Sequence, residues 1–317
     1  MNACRVCGNA RGNRIHRARE MMYGWRERFD YLECADCGCV QLVAPPEDMA
    51  RFYPADYYAY EPPRAKPVEG LAARLRCARS TSYLGRGGII GGLLARASKR
   101  PQYFDWLDGL GLGLDSRILD VGCGAGRLLL RMRRDGFARV SGIDPFIERD
   151  LEYASGVVVR KGGIDALSGE YDLIMLHHSF EHMTEPRAAM QALAALLAPS
   201  GHLLVRLPVA GGHAWRKYGA NWVGLDAPRH VFLHTTRSMA LLAEQAGLEL
   251  ARTFYDSGSR QFSGSEMFLR DIPLCEGERR KDLFALGEID AFENRARDLN
   301  AMRDGDCAGF YLRRAAR

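Results

Sequence analysis

From residue 116 onward the chain alternates short apolar runs with amphipathic stretches. "RILDV" (117–121) sets Ile118, Leu119 and Val121 around a single acid, Asp120, and reads as a buried strand. A glycine cluster follows, then "RLLLRMRRDGF", apolar at helical spacing. "RVSGIDPF", "VVVRKGGID", "YDLIMLHH" and "GHLLVRLP" predict four further strands. Helix-like material separates them, notably "PRAAMQALAALLAPSG", which is expected to stop at Pro199-Ser200-Gly201. Such alternation predicts an α/β fold with a parallel, doubly wound sheet, whose ligands bind at the carboxyl ends of the strands.

Upstream the pattern changes. "FYPADYYAYEPPRAKP" (52–67) reads as an irregular connector. "LAARLRCARSTSYLGRGGIIGGLLARASKR" (71–100) predicts two short amphipathic helices broken at Gly85–Gly92. From Arg64 to Arg100 nine Lys/Arg face one acid, Glu69. This basic 64–100 segment is either a solvated helical face or a surface for a phosphate-bearing substrate or an anionic membrane, a peripheral contact.

Two CxxC pairs stand near the start, Cys4–Cys7 in "CRVCG" and Cys34–Cys37 in "CADCG". Gly8 and Gly38 permit the tight turn that aims backbone amides at a thiolate. Two such knuckles predict a four-thiolate zinc site, with hairpin strands between them as in a zinc ribbon. The 26-residue spacer is long for such a site, and Cys39 and His16 are alternative ligands. Four thiolates leave no open position for a substrate, so the zinc is expected to be structural. The expected organisation is a ribbon over 1–58, a connector with basic helices over 59–102 and a large α/β domain over 103–317.

Composition narrows the class. The 317 residues are 47% apolar and 26% charged, ordinary for a globular protein with a sizeable core. A net charge of +5 suits anionic partners but is too small for a large nucleic-acid footprint. The sequence has no apolar run long enough to cross a membrane and no secretion-signal core, so the expected location is the cytoplasm. Nine cysteines in a reducing compartment favour metal or isolated thiols over disulfides.

The glycine turn after the first α/β strand is Gly122-Cys123-Gly124-Ala125-Gly126, a GxGxG that lets backbone amides approach a ligand. Asp120 stands just before it. An acid at this mouth repels a pyrophosphate and suits a cationic ligand end, an ammonium or a sulfonium. Asp144 ends the second strand, where a carboxylate can accept both hydroxyls of a ribose. "GGID" (162–165) ends the third, where an adenine would lie.

These residues resemble the class I S-adenosylmethionine-dependent methyltransferases: "ILDVGCGAGRL" is similar to their first motif, "GIDPF" to their second and "EYDLIMLHHSFEHM" to their fourth-strand motif. The resemblance implies a Rossmann-like seven-stranded sheet of order 3-2-1-4-5-7-6. It places "LELARTFYD" as strand six, "GDCAGFYLRR" as the antiparallel strand seven, and residues 257–304 as an insertion between them. It implies that Gly122, Gly124 and Gly126 cradle the methionine part of the cofactor, that Asp144 holds its ribose, and that Ile164 and Asp165 border its adenine. A ribbon ahead of this fold, with "NWVGLDAPRHVFLHT" and "YDSGSRQFSGSEMFLRDIPL", resembles methyltransferases of bacterial surface-polysaccharide and sugar pathways. The acceptor this implies is a sugar, nucleotide-linked or a glycan precursor.

Methyl transfer from a sulfonium is an in-line displacement in which the protein aligns the acceptor and removes its proton. His177 and His178 end the fourth strand and cannot both point the same way, so His177 is assigned to the cofactor and His178 to the loop above it. His178, His182 and His230 are the candidate bases, with Glu181 orienting a histidine. Trp215 or Trp222 would stack on an acceptor ring, and Arg216 and Arg229 would pair a diphosphate. His178 and His182 also have the i, i+4 spacing of a metal helix. They straddle a strand-to-helix junction with no distant third ligand evident, and the metal reading is set aside. The competing functions are a zinc-ribbon ribosomal RNA base methyltransferase, a natural-product methyltransferase, and a binding module that keeps the cofactor fold without turnover.

Overall fold

Ile118 and Leu119 are fully enclosed, and Val121 nearly so, in the strand that the apolar run forms. Each such side chain contributes about 1.5–3 kcal/mol by leaving water. The computed structural model describes residues 3–53, 69–277 and 282–315. Most of the Tyr- and Pro-rich connector lies outside the described residues. The strands are β1 (Arg14–Arg19), β2 (Arg28–Glu33), β3 (Val40–Leu42), β4 (Arg117–Val121), β5 (Arg139–Asp144) and β6 (Leu151–Glu152). They continue with β7 (Val158–Lys161), β8 (Tyr171–His177), β9 (Leu197–Pro208), β10 (Phe232–Leu233), β11 (Leu248–Tyr255) and β12 (Cys307–Arg314).

The chain divides into two compact units. One comprises Asp56–His177 and Ala192–Leu204. Its sheet has the order β9-β8-β4-β5-β7-β6, counting the first part of β9. β4 runs parallel to both β5 and β8, and β5 parallel to β7, while the short β6 is antiparallel to β7. The helix predicted to reach Pro199 ends at Ala195, and residues from Leu197 onward join β9. Sheet pairing overrides the local turn signal there: the Tyr171 amide donates to Leu196 O at 2.9 Å. A Cβ on Gly201 would lie 2.7 Å from Tyr171 O, so only glycine fits that pairing. The basic segment forms the helices Gly70–Tyr83 and Ile89–Arg96, the second running through Gly91 and Gly92. A Cβ on Gly91 would sit 2.3 Å from Ala78 O, so this glycine permits close helix packing and does not break the helix.

The other unit comprises Met1–Ala55, His178–Gln191 and Val205–Arg317. The last part of β9, then β12, then β11 lie in sequence, with β12 antiparallel to β11. Because β9 is common to both units, the expected 3-2-1-4-5 and 5-7-6 orders both hold, with β6 added outside strand three. This is an α/β fold with a mostly parallel sheet. The helices Arg260–Leu269 and Leu286–Ala301 occupy the segment between strands six and seven. A second, four-stranded sheet has the order β1-β2-β3-β10. The β1–β2 hairpin pairs Arg14 with Glu33 through Arg19 with Arg28, and β10 pairs with β3.

Candidate functional site

In the first unit, Gly122, Gly124 and Gly126 all have φ between +54° and +73°, the left-handed region that excludes most side chains. The turn is tied to the ends of β4 and β5. The Gly122 amide donates to Ile143 O at 2.8 Å, and the Gly124 amide donates to Asp144 Oδ2 at 2.7 Å. The Phe146 amide donates to Asp144 Oδ1 at 2.8 Å. Asp120 is buried, and its Oδ1 has no hydrogen-bond partner among the described residues. Burial and the neighbouring Asp144 push its carboxyl up to about 8. A cation bound beside these two carboxyls would lower Asp120 again and favour its ionised form. Ile164 and the exposed Asp165 lie in a 3-10 turn just past β7. His177 closes β8, and the ring of Trp106 lies against it, centroids 4.4 Å apart. Trp106 was not anticipated from sequence: its helix, Tyr103–Leu107, has only five residues and carries no motif.

The second unit begins its middle segment at His178, the next residue. Here a short 3-10 turn, Phe180–His182, buries Glu181 completely. Neither Glu181 oxygen has a hydrogen bond among the described residues. Three imidazoles surround it: His178 Nδ1 lies 3.5 Å and His230 Nε2 3.9 Å from Oε1, and the His182 ring is 4.9 Å from that of His230. Burial would raise the Glu181 carboxyl, but His178, His182 and His230 outweigh it and hold the group at about 2. Burial pushes the His230 imidazole down to about 4 despite Asp226 and Glu181. His182 Nδ1 is 2.8 Å from Arg229 O, and Tyr53 Oη is 3.1 Å from the same nitrogen. His230 Nδ1 is 2.8 Å from Gly224 O. His178 Nε2 lies 2.5 Å from Arg206 Nη1, and Arg206 also donates to Asp256. His178 (φ +55°) and Asp226 (φ +40°) both hold left-handed backbone, costing about 1–3 kcal/mol each.

The structure gives Arg229 a different task from the expected diphosphate contact. It is buried, and its guanidinium is spent on Asp226 (3.0 and 2.5 Å), Glu20 (3.3 Å) and Phe52 O. Arg216 pairs with Asp304 at 2.7 Å. Trp222 is fully enclosed and donates to Asp306, while Trp215 is buried and donates to Glu33. Neither indole offers an open face for stacking on an acceptor. Sequence alone shows the aromatic and cationic residues but not which side chains have already been paired within the fold.

Also in this unit, Cys4, Cys7, Cys34 and Cys37 bring their sulfurs together, all within 4.8 Å of one another. Cys4 Sγ and Cys37 Sγ are 3.6 Å apart, Cys7 Sγ and Cys34 Sγ 3.5 Å. Sulfurs about 2.3 Å from a tetrahedral zinc lie about 3.8 Å apart, so the donor set fits. Gly8 (φ +79°) and Gly38 (φ +70°) close the two knuckles by donating to Cys4 O and Cys34 O. The alternative ligands are engaged elsewhere: His16 with Glu33 at 2.8 Å, Cys39 with His234 at 3.9 Å.

A family described as a methyltransferase domain matches residues 94–253, half of the chain. The chain is 34% identical over 170 residues to the ubiquinone biosynthesis O-methyltransferase of Bordetella avium, covering 47% of this chain and 69% of that protein. It is 35% identical over 127 residues to the same-named protein of Pectobacterium atrosepticum, covering 36% of this chain and 52% of that one. Among solved structures, magnesium protoporphyrin IX methyltransferase from Synechocystis is 14% identical with a TM-score of 0.41, covering 79% of this chain and 90% of that one. The chain belongs to the methyltransferase-domain family. Its matches span from about half to about seven-tenths of the length of these two curated relatives.

Proposed function

We propose that this protein transfers a methyl group from S-adenosylmethionine to a hydroxyl oxygen of a small-molecule acceptor. The observation that carries the cofactor is Asp120, a buried carboxyl without a hydrogen-bond partner at Oδ1, beside a turn of three left-handed glycines. Gly122, Gly124 and Gly126 would take the methionine part, Asp144 the ribose, Ile164 and Asp165 the adenine edge, and His177 the side toward the methyl. When bound, the cofactor supplies an electrophilic methyl on a sulfonium, and Asp120 matches its positive charge.

The acceptor is assigned to the cluster of His178, Glu181, His182 and His230. Glu181 is its negative pole, and His178, His182 and His230 surround it. As the acceptor oxygen attacks, its O–H proton is drawn off by this cluster. Oxygen is favoured as the acceptor atom because both relatives are named as O-methyltransferases. The sugar acceptor loses its expected supports, since Trp215 and Trp222 are buried and Arg229 is already paired. A phenolic hydroxyl, more acidic than a sugar hydroxyl, suits the histidine cluster better. An assay with methyl-labelled cofactor against a catechol, a nucleotide sugar and ribosomal RNA in parallel tests this. Label on the catechol oxygen supports the reading; label on a sugar oxygen alone keeps oxygen transfer but overturns the phenolic preference, and label on RNA alone sinks the reading.

Two further assignments belong to this reading. Cys4, Cys7, Cys34 and Cys37 would hold one structural zinc. The helix Ile89–Arg96 exposes Ile89 (86%), Ile90 (66%) and Leu93 (61%) within a basic segment, which fits peripheral contact with an anionic bilayer. No helix among the described residues is long and apolar enough to cross a membrane. Co-sedimentation with anionic but not neutral vesicles, lost in Leu93→Asp, is the expected result.

A further inference from the structure

The i, i+4 histidine pair of "HHSFEH" does not form a metal site as such, but the fold builds a different trio around it. Glu181, His182 and His230 each offer a ligand atom, and these atoms lie within 4.8 Å of one another. The third member comes from 48 residues along the chain. We propose that Glu181, His182 and His230 bind a divalent transition-metal cation, zinc or a close relative, distinct from the ion on the four cysteines.

Three observations carry this. First, the tautomers are fixed. His182 Nδ1 faces Arg229 O and His230 Nδ1 faces Gly224 O, both at 2.8 Å. A carbonyl only accepts, so each Nδ1 bears the proton and each Nε2 carries a lone pair. Metal-binding histidines are held this way, by a backbone carbonyl on the other ring nitrogen. Second, Glu181 is fully buried and makes no hydrogen bond of good geometry at either oxygen among the described residues, His178 Nδ1 standing 3.5 Å from Oε1. A buried carboxylate without such a partner is costly unless a cation meets it. Third, the spacing is wrong for direct hydrogen bonds and suits an ion between the groups. His230 Nε2 and Glu181 Oε1 are 3.9 Å apart. Donors about 2.1 Å from one ion lie about 3–3.5 Å apart, so the trio, spread within 4.8 Å, would draw together on binding.

Two imidazoles and one carboxylate select zinc, manganese, iron or cobalt over magnesium or calcium. Three protein ligands leave a position open. An acceptor hydroxyl entering there would be polarised and would lose its proton more readily. That use of the ion rests on the acceptor reading given above; its binding does not.

The test uses the full-length protein, stripped of metal and reloaded with Zn2+ or Co2+, with metal content and Co2+ absorption as readouts. About two equivalents should bind, one with the thiolate charge-transfer absorption of the cysteine site and one without it. Glu181→Gln, His182→Ala and His230→Ala should each lose the second equivalent and keep the first. Retained binding of S-adenosylhomocysteine shows that each variant is folded, and His230→Gln serves where His230→Ala is not. If the parent binds only the cysteine-held ion, or if the second ion survives all the substitutions, the site is refuted. If the second ion binds but no hydroxyl acceptor is methylated, the metal site stands and the acceptor reading fails.

Discussion

The Gly124 amide donates to Asp144 Oδ2 at 2.7 Å, so the residue assigned to the ribose also fastens the glycine turn. Asp144→Ala removes this bond and the one from Phe146 together. Charge-assisted bonds of this kind contribute about 1.5–3 kcal/mol each. Calorimetry should show S-adenosylmethionine affinity reduced about tenfold or more, with lower thermal stability. Unchanged affinity contradicts the assignment of Asp144.

Asp120 gives a pH prediction of definite sign. Its carboxyl is pushed up to about 8 by burial and Asp144, against an ordinary unfolded value of about 3.9. Between those values the folded state holds a proton that the unfolded state lacks, so this group lowers stability as pH rises. Asp120→Asn removes that slope. Denaturant titrations should show the variant gaining on the parent from about pH 4 to pH 8, by about 1 kcal/mol or more at the upper end. Parallel pH curves for the two proteins count against a raised Asp120.

The cysteine cluster predicts one zinc that holds its unit together. Cys34→Ser should lower metal content and destabilise the hairpin sheet, seen as early proteolysis within residues 3–53. A variant that stays fully folded and metal-loaded rules out Cys34 as a ligand.

Arg229 sits between two acids in the interior, 3.3 Å from Glu20 and 2.5 Å from Asp226. Asp226 is held well below the usual carboxylate range, because Arg229 and the nearby histidines outweigh burial. Its stabilising effect is present above an unfolded value near 3.9 and is lost as pH falls below it. Arg229→Met strands Glu20 and Asp226 without their cation, at a cost of about 3–5 kcal/mol. Chemical denaturation at pH 7 should show the loss, and the difference from the parent should shrink in acid.

The α/β core was legible because its signals are local. "RILDV" is a short apolar run bounded by a glycine turn, and three glycines after it leave few choices of turn. The CxxC knuckles were legible for the same reason. What sequence did not show depends on residues brought together from far apart. β10 joins the four-stranded sheet by pairing Phe232–Leu233 with β3, nearly two hundred residues earlier in the chain. Trp106 reaches His177 from a five-residue helix. Arg229 reads as a phosphate contact until Glu20 is found beside it. His230 is one histidine among eight in the chain until the fold sets it against Glu181 and His182.

The central claim is that a methyl group passes from S-adenosylmethionine to an acceptor oxygen. Mass spectrometry of products formed with isotopically labelled methyl tests it most directly. The expected result is a labelled methyl ether, formed by the parent protein and lost in Asp144→Ala and Glu181→Gln. A parent protein that binds S-adenosylmethionine yet forms no labelled product with any hydroxyl acceptor, or that places the label on nitrogen or carbon, contradicts it.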